Sequence, residues 1–281
     1  MTLATLADVL RPALSGGYAV PGLVCLGWED MRAFVMAAQA EQAPVILQAG
    51  PGCRAHTPLR VLGAMLRHLA ASVDVPVVVH LDHGYSLDEC QAALDAGFSS
   101  VMFDGSRLPL AQNIAQTAAV SALAHAAGAS CEGEIGFVGY AGAAASEGTD
   151  PAEAARFARE TGIDAMAISV GNVHLQQEHS GGLDLERISA IAAMTPVPLV
   201  IHGGSGVPLA QRAALAAGSQ ICKFNIGTEL RMMFGAALRA AVNSDPARFD
   251  RIQLLRETEG PVCEAARAVI RNLGASGRAA G

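Results

Sequence analysis

The sequence predicts an α/β protein folded as a single (β/α)8 barrel, and three observations support this fold. Short β-branched runs alternate eight times with Ala- and Leu-rich helical patterns, and eight such units close a barrel. Hydrophobic residues make up 51% of the 281-residue chain and aromatic residues only 4%, so a large core would consist mainly of aliphatic side chains. Barrels of this kind often reach this length as one domain, and no linker interrupts residues 1–281.

The units can be followed in order along the chain. A helix over residues 3–14 precedes the first strand. Strands are predicted to begin at Ala19, Pro44, Val75, Ser99, Ala129, Ala165, Pro198 and Gln220. Helices are predicted after them, among others over residues 59–72, 87–96, 110–127, 151–161, 185–194, 209–217 and 229–242. The tail after Asn243 predicts a C-terminal helical extension.

A doubly wound open sheet is the competing architecture. It would carry a Gly-rich turn after its first strand, because the backbone there approaches a bound phosphate closely. The segment Pro21-Gly22-Leu23 is not such a turn, so the closed barrel is favoured.

Charge and cysteine content restrict the possible partners and the compartment. A net charge of −7 gives no long-range attraction to nucleic acid or to an anionic membrane. The six cysteines form no CxxC pair and lie in apolar stretches, as expected for reduced core residues. Neither a signal-type N-terminus nor an apolar run of about 18 residues is present. We therefore expect a cytoplasmic protein that acts on a small molecule.

Polar residues follow the predicted strands at their carboxyl ends, which form the active-site face of a barrel. The third, fourth and fifth strands end in HLDHG (80–84), MFDGS (102–106) and EGEIG (132–136), respectively. The sixth, seventh and eighth end in SVGNVH (169–174), HGGSG (202–206) and KFNIGT (223–228). His83, His174 and His202 thus end three different strands. Any one of them could be a hydrogen-bonded structural residue. Together they predict a catalytic Zn²⁺ site, which uses three such ligands and an open position.

The loops after the last two predicted strands suggest a phosphate site. Residues 203–206 read Gly-Gly-Ser-Gly, and residues 225–228 read Asn-Ile-Gly-Thr. In barrels these two loops commonly bind phosphate, because their N–H groups converge near a helix N-terminus. A Gly-rich turn alone is usually only a tight turn, so the prediction depends on its position.

These motifs, in this order, resemble the class II fructose-bisphosphate and tagatose-bisphosphate aldolases nearly end to end, including the closing LGASGRA (273–279). The resemblance implies that His83, His174 and His202 hold a catalytic Zn²⁺ and that Asp82 is the acid/base. Asp104 and Glu134 match a position for a second divalent ion in part of the family. Gly203, Gly204, Ser205, Asn225, Ile226, Gly227 and Thr228 match segments that bind dihydroxyacetone phosphate. The resemblance also implies a homodimer or homotetramer, and His80 is left as a supporting residue.

The chemistry of carbon–carbon cleavage agrees with these roles. Breaking the C3–C4 bond of a ketose leaves an enediolate, whose charge must be stabilised as it forms. A bound Zn²⁺ would do this without a Schiff-base lysine. Lys223 is the only lysine of the chain and precedes the phosphate segment, and a Schiff-base enzyme would need it desolvated at the centre of the pocket.

Four positions depart from the family pattern. Leu175 stands where a glycine usually follows the second zinc histidine, and Gly50 replaces a serine. The first strand ends in Pro21-Gly22-Leu23-Val24 instead of Pro-Ala-Phe-Asn. The loop 137–148 lacks the Gly-Gly-x-Glu-Asp segment whose carboxylate protonates the enediolate. Glu147, the only acid of this loop, either replaces that carboxylate or is a solvated residue.

The sequence therefore predicts a metal-dependent class II aldolase that splits a ketose phosphate reversibly into dihydroxyacetone phosphate and an aldehyde. Because the substrate-contacting rim has changed, we expect a substrate other than fructose 1,6-bisphosphate, with a shorter or less polar aldehyde half. An ordinary fructose- or tagatose-bisphosphate aldolase is the first alternative. A metal-dependent sugar-phosphate isomerase or epimerase, acting through the same enediolate, is the second. A non-catalytic sugar-binding protein would not need Asp82 and the three histidines.

Overall fold

The computed structural model describes residues 2–142, 145–178 and 182–279. The strands are β1 (Leu3–Ala4), β2 (Val20–Val24), β3 (Val45–Ala49), β4 (Val77–Gly84), β5 (Ser100–Phe103), β6 (Ser130–Ile135), β7 (Ala165–Ile168), β8 (Leu199–Ile201) and β9 (Ile221–Ile226). The helices are α1 (Leu6–Gly16), α2 (Trp28–Glu41), α3 (Pro51–His56), α4 (Leu59–Ala71), α5 (Leu87–Asp95), α6 (Leu110–Ala126), α7 (Pro151–Thr161), α8 (Leu185–Ala192), α9 (Leu209–Gly218), α10 (Thr228–Ser244) and α11 (Arg251–Asn272).

The eight strands β2 to β9 form a closed parallel barrel. Each pairs in parallel with the next along the chain, and β9 pairs with β2 to close the ring. The predicted (β/α)8 fold, a TIM barrel, is thus confirmed, and each strand begins within two residues of its predicted start. The C-terminal extension is confirmed as α11, which packs against α2 and α10. No helix among the described residues is long and apolar enough to cross a membrane.

The N-terminal segment differs from the prediction of a helix over residues 3–14. Leu3 and Ala4 instead pair in parallel with Val77 and Val78 at the start of β4. The helix begins only after Thr5, whose hydroxyl accepts a hydrogen bond from the backbone N–H of Asp8, while the Asp8 carboxylate accepts one from the N–H of Thr5. This reciprocal cap sets the helix start, so the predicted boundary was wrong by three residues.

Apolar side chains fill the space between the barrel and its helices, and the core cluster extends from Ala4 in β1 to the residues after α11. Polar side chains gather inside the barrel toward the carboxyl ends of the strands. Gln48, His80, Glu132, His202 and Lys223 each have an exposed fraction of 0% there. Such burial of polar groups is unusual for a structural core and indicates a built site.

Candidate active site

Strand β4 brings Asp82 and His83 into the mouth of the barrel. Its pairing with β5 shifts register between Leu81 and Gly84, and His83 has a φ of 55°, a conformation that residues other than glycine seldom adopt. In a regular strand these two neighbours would point to opposite faces. Both line the same cavity here, because the irregular backbone turns them to one side. Backbone strain of this kind is typical of functional sites.

The three histidines predicted from the strand ends come together. The ring centroids of His83 and His202 are 4.8 Å apart, those of His83 and His174 5.3 Å, and those of His174 and His202 5.6 Å. One ring nitrogen from each lies within 4.8 Å of the others. His174 is fixed by backbone hydrogen bonds with the loop after β6, to Gly139 (2.8 Å) and from Ala141 (3.0 Å).

Two carboxylates complete this cluster. The Oδ2 atom of Asp104 lies 2.8 Å from Nδ1 of His83, and the backbone N–H and hydroxyl of Ser106 donate to its Oδ1 atom. The Oε2 atom of Glu134 lies 3.8 Å from Nδ1 of His83 and 3.4 Å from Nδ1 of His202. His83, Asp104 and Glu134 therefore form a second group whose ligand atoms lie within 4.8 Å of one another.

Two buried atoms of the cluster show that it suits a cation. Among the described residues, neither Nδ1 of His202 nor Oε2 of Glu134 has a hydrogen-bond partner. Leaving a buried polar atom unpaired costs about 1–3 kcal/mol, so the two atoms are poorly satisfied as they stand. A cation held between them would satisfy both, and three imidazoles with nearby carboxylates are a donor set that Zn²⁺ accepts.

The pKa values of the side chains in this cluster reflect burial and crowded charge. Burial alone would lower the pKa of His83, but the carboxylates of Asp82, Asp104 and Glu134 raise it to about 10. Burial and the neighbouring His83 lower the pKa of His174 to about 4. Burial, together with the charge of Asp104, raises the pKa of Glu134 well above its usual range. The carboxylates therefore favour a positive charge on His83, whereas burial and that charge disfavour a second one on His174.

A buried ion pair lies on the barrel side of the histidines. Nζ of Lys223 donates to Oε2 of Glu132 at 2.6 Å, and the other Glu132 oxygen lies 3.0 Å from Nε2 of His202. Nε2 of His80 lies 3.6 Å from the Glu132 carboxylate, and its Nδ1 lies 2.8 Å from the hydroxyl of Ser100. Glu132 thus fixes the His202 ring, as carboxylates behind metal-binding histidines commonly do.

A cavity of about 250 Å³ opens beside the histidines. Of the residues predicted from the sequence, the following line it: Asp82, His83, His174, Gly203, Ser205, Asn225, Gly227 and Thr228. Gly204 and Ile226 are buried beside them and do not line it. The side-chain amide of Asn225 donates to Oδ1 of Asp82 at 3.3 Å, which orients this carboxylate toward the cavity.

The start of α10 presents backbone N–H groups at the same cavity. The Ser205 hydroxyl accepts long hydrogen bonds from the N–H groups of Gly227 (3.3 Å) and Glu229 (3.4 Å). A helix N-terminus of this kind favours anions, because its N–H groups are unsatisfied and its dipole is positive there.

Three of the four departures from the family pattern lie on the rim of this cavity. Leu175 keeps the left-handed backbone (φ of 59°) that a glycine would adopt freely, and its side chain is 49% exposed. Gly50 faces Asp82, since a Cβ atom at Gly50 would lie 3.3 Å from Oδ2 of Asp82. Val24 lines the cavity where the family has an amide side chain. The rim is therefore more apolar than a rim with asparagine and serine would be.

The neighbouring position, Gly22, makes room for Gln48. A Cβ atom at Gly22 would overlap the side-chain amide of Gln48, which is fully buried. Among the described residues, neither amide atom of Gln48 has a hydrogen-bond partner, and neither has the Oδ1 atom of Asn225.

The fourth departure, the loop after β6, places Glu147 away from the site. Its backbone forms an antiparallel bridge with Phe137, and its side chain is exposed. It lines neither the cavity described above nor a neighbouring cavity of about 280 Å³ that lies on the side of Asp104 and Glu134. Of the two interpretations of Glu147, the structure favours the solvated residue. Tyr140 from the same loop stacks on the His174 ring instead, with centroids 4.7 Å apart, and lines both cavities.

Sequence reasoning missed Tyr140, Gln48, Glu132 and the buried role of Lys223. Glu132 and Lys223 could have been found from the alternation of side chains along a strand. Glu132 lies two residues before the predicted site residue Glu134, and Lys223 lies two before Asn225. Side chains at such a spacing share one face of a strand. Tyr140 gives no such signal, because it lies in an irregular loop.

Comparison with known proteins agrees with this geometry. The model of the family described as "Fructose-bisphosphate aldolase class-II" matches residues 4–278. The chain is 35% identical to a fructose-bisphosphate aldolase of Geobacillus stearothermophilus, with all of both chains covered. It is 37% identical to a 6-phospho-5-dehydro-2-deoxy-D-gluconate aldolase of Shouchella clausii, covering all of this chain and 98% of the relative. The crystal structure of the YdjI aldolase from Escherichia coli K12 superposes with a TM-score of 0.85, at 29% identity and with 99% of each chain covered. The chain therefore belongs to the class II fructose-bisphosphate aldolase family and is an aldolase, a lyase.

Proposed function

We propose that this aldolase is zinc-dependent and cleaves a ketose phosphate other than fructose 1,6-bisphosphate into dihydroxyacetone phosphate and an aldehyde. The observation that supports this most strongly is the convergence of His83, His174 and His202, whose ring nitrogens lie within 4.8 Å of one another, together with the unpaired Nδ1 atom of His202 and Oε2 atom of Glu134. These three histidines would hold the catalytic ion. Asp104 and Glu134 would hold a second divalent ion where one is used. A bound Zn²⁺ supplies a Lewis acid that polarises the substrate carbonyl.

Asp82 is the proposed acid/base. It lines the cavity, and its Oδ1 atom lies 4.0 Å from Nε2 of His83, close to the ion site without needing to be a ligand. In the cleavage direction its carboxylate removes the proton from the C4 hydroxyl as the C3–C4 bond breaks. Asn225 holds this carboxylate through its side-chain amide, so the proton acceptor is positioned before the substrate arrives.

The proposed phosphate site is formed by residues 203–205 and 225–228. Gly203, Ser205, Gly227 and Thr228 line the cavity, and the start of α10 turns its N–H groups toward it. A phosphate oxygen could replace the Ser205 hydroxyl at the N–H groups of Gly227 and Glu229, whose present bonds are long. Gly204 and Ile226 belong to the same segments and are buried without lining the cavity.

The altered rim supports a shifted substrate. Val24 and Gly50 cannot hydrogen-bond a hydroxylated chain through their side chains, and Leu175 adds apolar surface. A site that lacks such polar partners discriminates weakly in favour of a hydroxylated substrate. One relative is named for 6-phospho-5-dehydro-2-deoxy-D-gluconate, a compound with one phosphate and one deoxy carbon. A substrate of that type fits the rim better than fructose 1,6-bisphosphate.

A panel of ketose phosphates tests the proposal. Zinc-loaded protein is incubated with fructose 1,6-bisphosphate, tagatose 1,6-bisphosphate, fructose 1-phosphate and 6-phospho-5-dehydro-2-deoxy-D-gluconate. Dihydroxyacetone phosphate is detected by coupled reduction, with a His174→Ala variant as the control. We expect cleavage by the wild type, with kcat/KM lowest on the hydroxylated bisphosphates.

Two results would contradict the proposal. The highest kcat/KM on fructose 1,6-bisphosphate would refute the shift in substrate and leave an ordinary bisphosphate aldolase. Interconversion of the sugars without release of dihydroxyacetone phosphate would favour the isomerase or epimerase alternative.

A further inference from the structure

The proposed cleavage requires two proton transfers. Asp82 takes the proton of the C4 hydroxyl as the C3–C4 bond breaks, and the electron pair of that bond passes to C3 as an enediolate. A proton must then reach C3 before dihydroxyacetone phosphate can leave. Because Asp82 serves the C4 oxygen, we expect a different side chain to serve C3. Glu147 does not qualify, since its exposed side chain lines neither cavity beside the histidines.

Few side chains on the cavity wall carry a proton that they can give up. Among the described residues, the hydroxyl, phenol and thiol groups that line the cavity of Asp82 belong to Cys53, Tyr140, Ser205 and Thr228. Ser205 and Thr228 lie in the proposed phosphate segments. The thiol of Cys53 donates to a backbone carbonyl at 3.9 Å, and Cys53 is only 2% exposed. Tyr140 is the member of this set that faces the cavity without another task.

The backbone on either side of Tyr140 holds its ring against the ion site. The carbonyl of Gly139 accepts a hydrogen bond from the N–H of His174 at 2.8 Å, and the N–H of Ala141 donates to the carbonyl of His174 at 3.0 Å. The N–H of Gly139 also donates to the hydroxyl of Ser146 at 3.0 Å. The phenol ring stacks on the His174 imidazole, with an interplanar angle of 24°. The loop after β6 therefore positions Tyr140 through the same histidine that is proposed to hold the ion.

The hydroxyl of Tyr140 is available to a substrate and to solvent. No group of the part of the chain that the structure describes forms a hydrogen bond with it. Tyr140 lines both the cavity that holds Asp82 and the neighbouring cavity of about 280 Å³, and it is 37% exposed. A proton lost on the side of Asp82 can therefore be replaced by water from the other side.

Arg107 places a positive charge on the outer side of Tyr140. Its guanidinium carbon lies 4.3 Å from the centroid of the Phe137 ring, and all three residues line the neighbouring cavity. A tyrosine that gives up its proton becomes an anion, and a nearby cation stabilises that anion. The surroundings of Tyr140 therefore suit a phenol that donates a proton during the reaction.

We propose that Tyr140 is the catalytic residue that protonates the enediolate at C3. This inference rests on the proposed function and deepens it by naming the second proton donor of the same site. In the cleavage direction the phenol O–H bond breaks, and its proton joins the electron pair on C3 to form the new C–H bond. Water then reprotonates the phenolate, and Asp82 passes the C4 hydroxyl proton to water. In the reverse direction the phenolate removes the same proton from dihydroxyacetone phosphate.

The test separates protonation from carbon–carbon cleavage in Tyr140→Phe. Exchange of the hydroxymethyl hydrogen of dihydroxyacetone phosphate in D₂O, followed by NMR, reports the proton transfer and needs no ketose. We expect this exchange and the release of dihydroxyacetone phosphate from a ketose phosphate to fall together by about 10²–10⁴-fold. Hexacyanoferrate(III) oxidises the enediolate directly, so its reduction during ketose cleavage should stay at the wild-type level or rise. Zinc content and the calorimetric Kd for dihydroxyacetone phosphate should not change.

Tyr85→Phe is the matched control. Tyr85 is 55% exposed and lines the neighbouring cavity without lining the cavity that holds Asp82. This variant should exchange hydrogen and release dihydroxyacetone phosphate as the wild type does.

Three outcomes would overturn the assignment. Normal exchange in Tyr140→Phe would mean that another group serves C3. Loss of zinc or weaker binding of dihydroxyacetone phosphate in that variant would mean that Tyr140 only supports His174. An equal loss in Tyr85→Phe would mean that the effect is not specific to Tyr140. A wild type that binds dihydroxyacetone phosphate but neither exchanges its hydrogen nor cleaves any ketose phosphate would instead refute the proposed function, so the two failures are distinguishable.

Discussion

Replacing Lys223 by methionine should destabilise the barrel strongly and leave its shape intact. The ammonium group and the Glu132 carboxylate have exposed fractions of 0% and lie 2.6 Å apart. Removing one partner of such a pair leaves the other charge buried and uncompensated, which costs about 3–5 kcal/mol. With an unfolding entropy of about 2.1 cal/mol/K per residue, a chain of this length should lose about 5–8 °C in Tm. Methionine fills a similar volume, so a cavity contributes little.

Thermal and urea unfolding of matched variants would measure this loss. Adding Glu132→Gln to Lys223→Met should recover most of the stability, because the buried charge is gone and the amide can still contact His202. Arg156→Met removes a charge from an exposed pair with Glu160 and should change stability by only about 0–1 kcal/mol. A Lys223→Met protein as stable as the wild type, or a double variant that recovers nothing, would refute the role of this ion pair.

Three further predictions concern the site and the C-terminal helix. Asp82→Asn should keep its zinc content but lose about 10²–10⁴-fold in kcat, and near-normal turnover would make Asp82 structural. Gly22→Ala should lose about 1–3 kcal/mol in urea unfolding, because the new methyl group collides with Gln48; full stability would contradict the overlap. Burial alone would raise the pKa of Glu41, but its contacts with Arg271, Arg267 and Ser276 lower it to about 2. A lowered folded-state pKa stabilises the fold above the unfolded-state pKa and is lost as pH falls through the folded one. Glu41→Gln should therefore be less stable than the wild type at pH 7, with the difference vanishing between pH 4.5 and about 2; a constant difference would contradict this linkage.

The barrel and the three histidines could be predicted because both depend on periodicity. Strand starts follow from short β-branched runs, and the strand ends of a parallel barrel meet at one face. His83, His174 and His202 could therefore be placed together from their order alone. The pairing of Leu3 with β4 could not, since it is a contact between distant segments. The Thr5–Asp8 cap that sets the helix start at Leu6 is a local signal, and the prediction of a helix from residue 3 overlooked it. The single-domain organisation, the cytoplasmic location and the homo-oligomer stay predictions.

Other features depend on backbone detail that a sequence pattern does not carry. Regular alternation would separate Asp82 from His83, and only the register shift in β4 brings both to one cavity. The overlap that ties Gly22 to Gln48 involves two strands whose pairing has to be known first. Glu147 and Tyr140 lie in one irregular loop, so their side chains could not be oriented from spacing.

Metal dependence is tested most directly by removing and restoring zinc. The protein is stripped with a chelator, titrated with Zn²⁺ and assayed for dihydroxyacetone phosphate, with borohydride added to a parallel sample containing substrate. We predict no activity in the stripped protein, recovery that saturates at one Zn²⁺ per chain for the catalytic site, and no trapped adduct on the buried Lys223. Activity that survives the chelator, with a borohydride-trapped adduct on Lys223, would contradict the zinc mechanism.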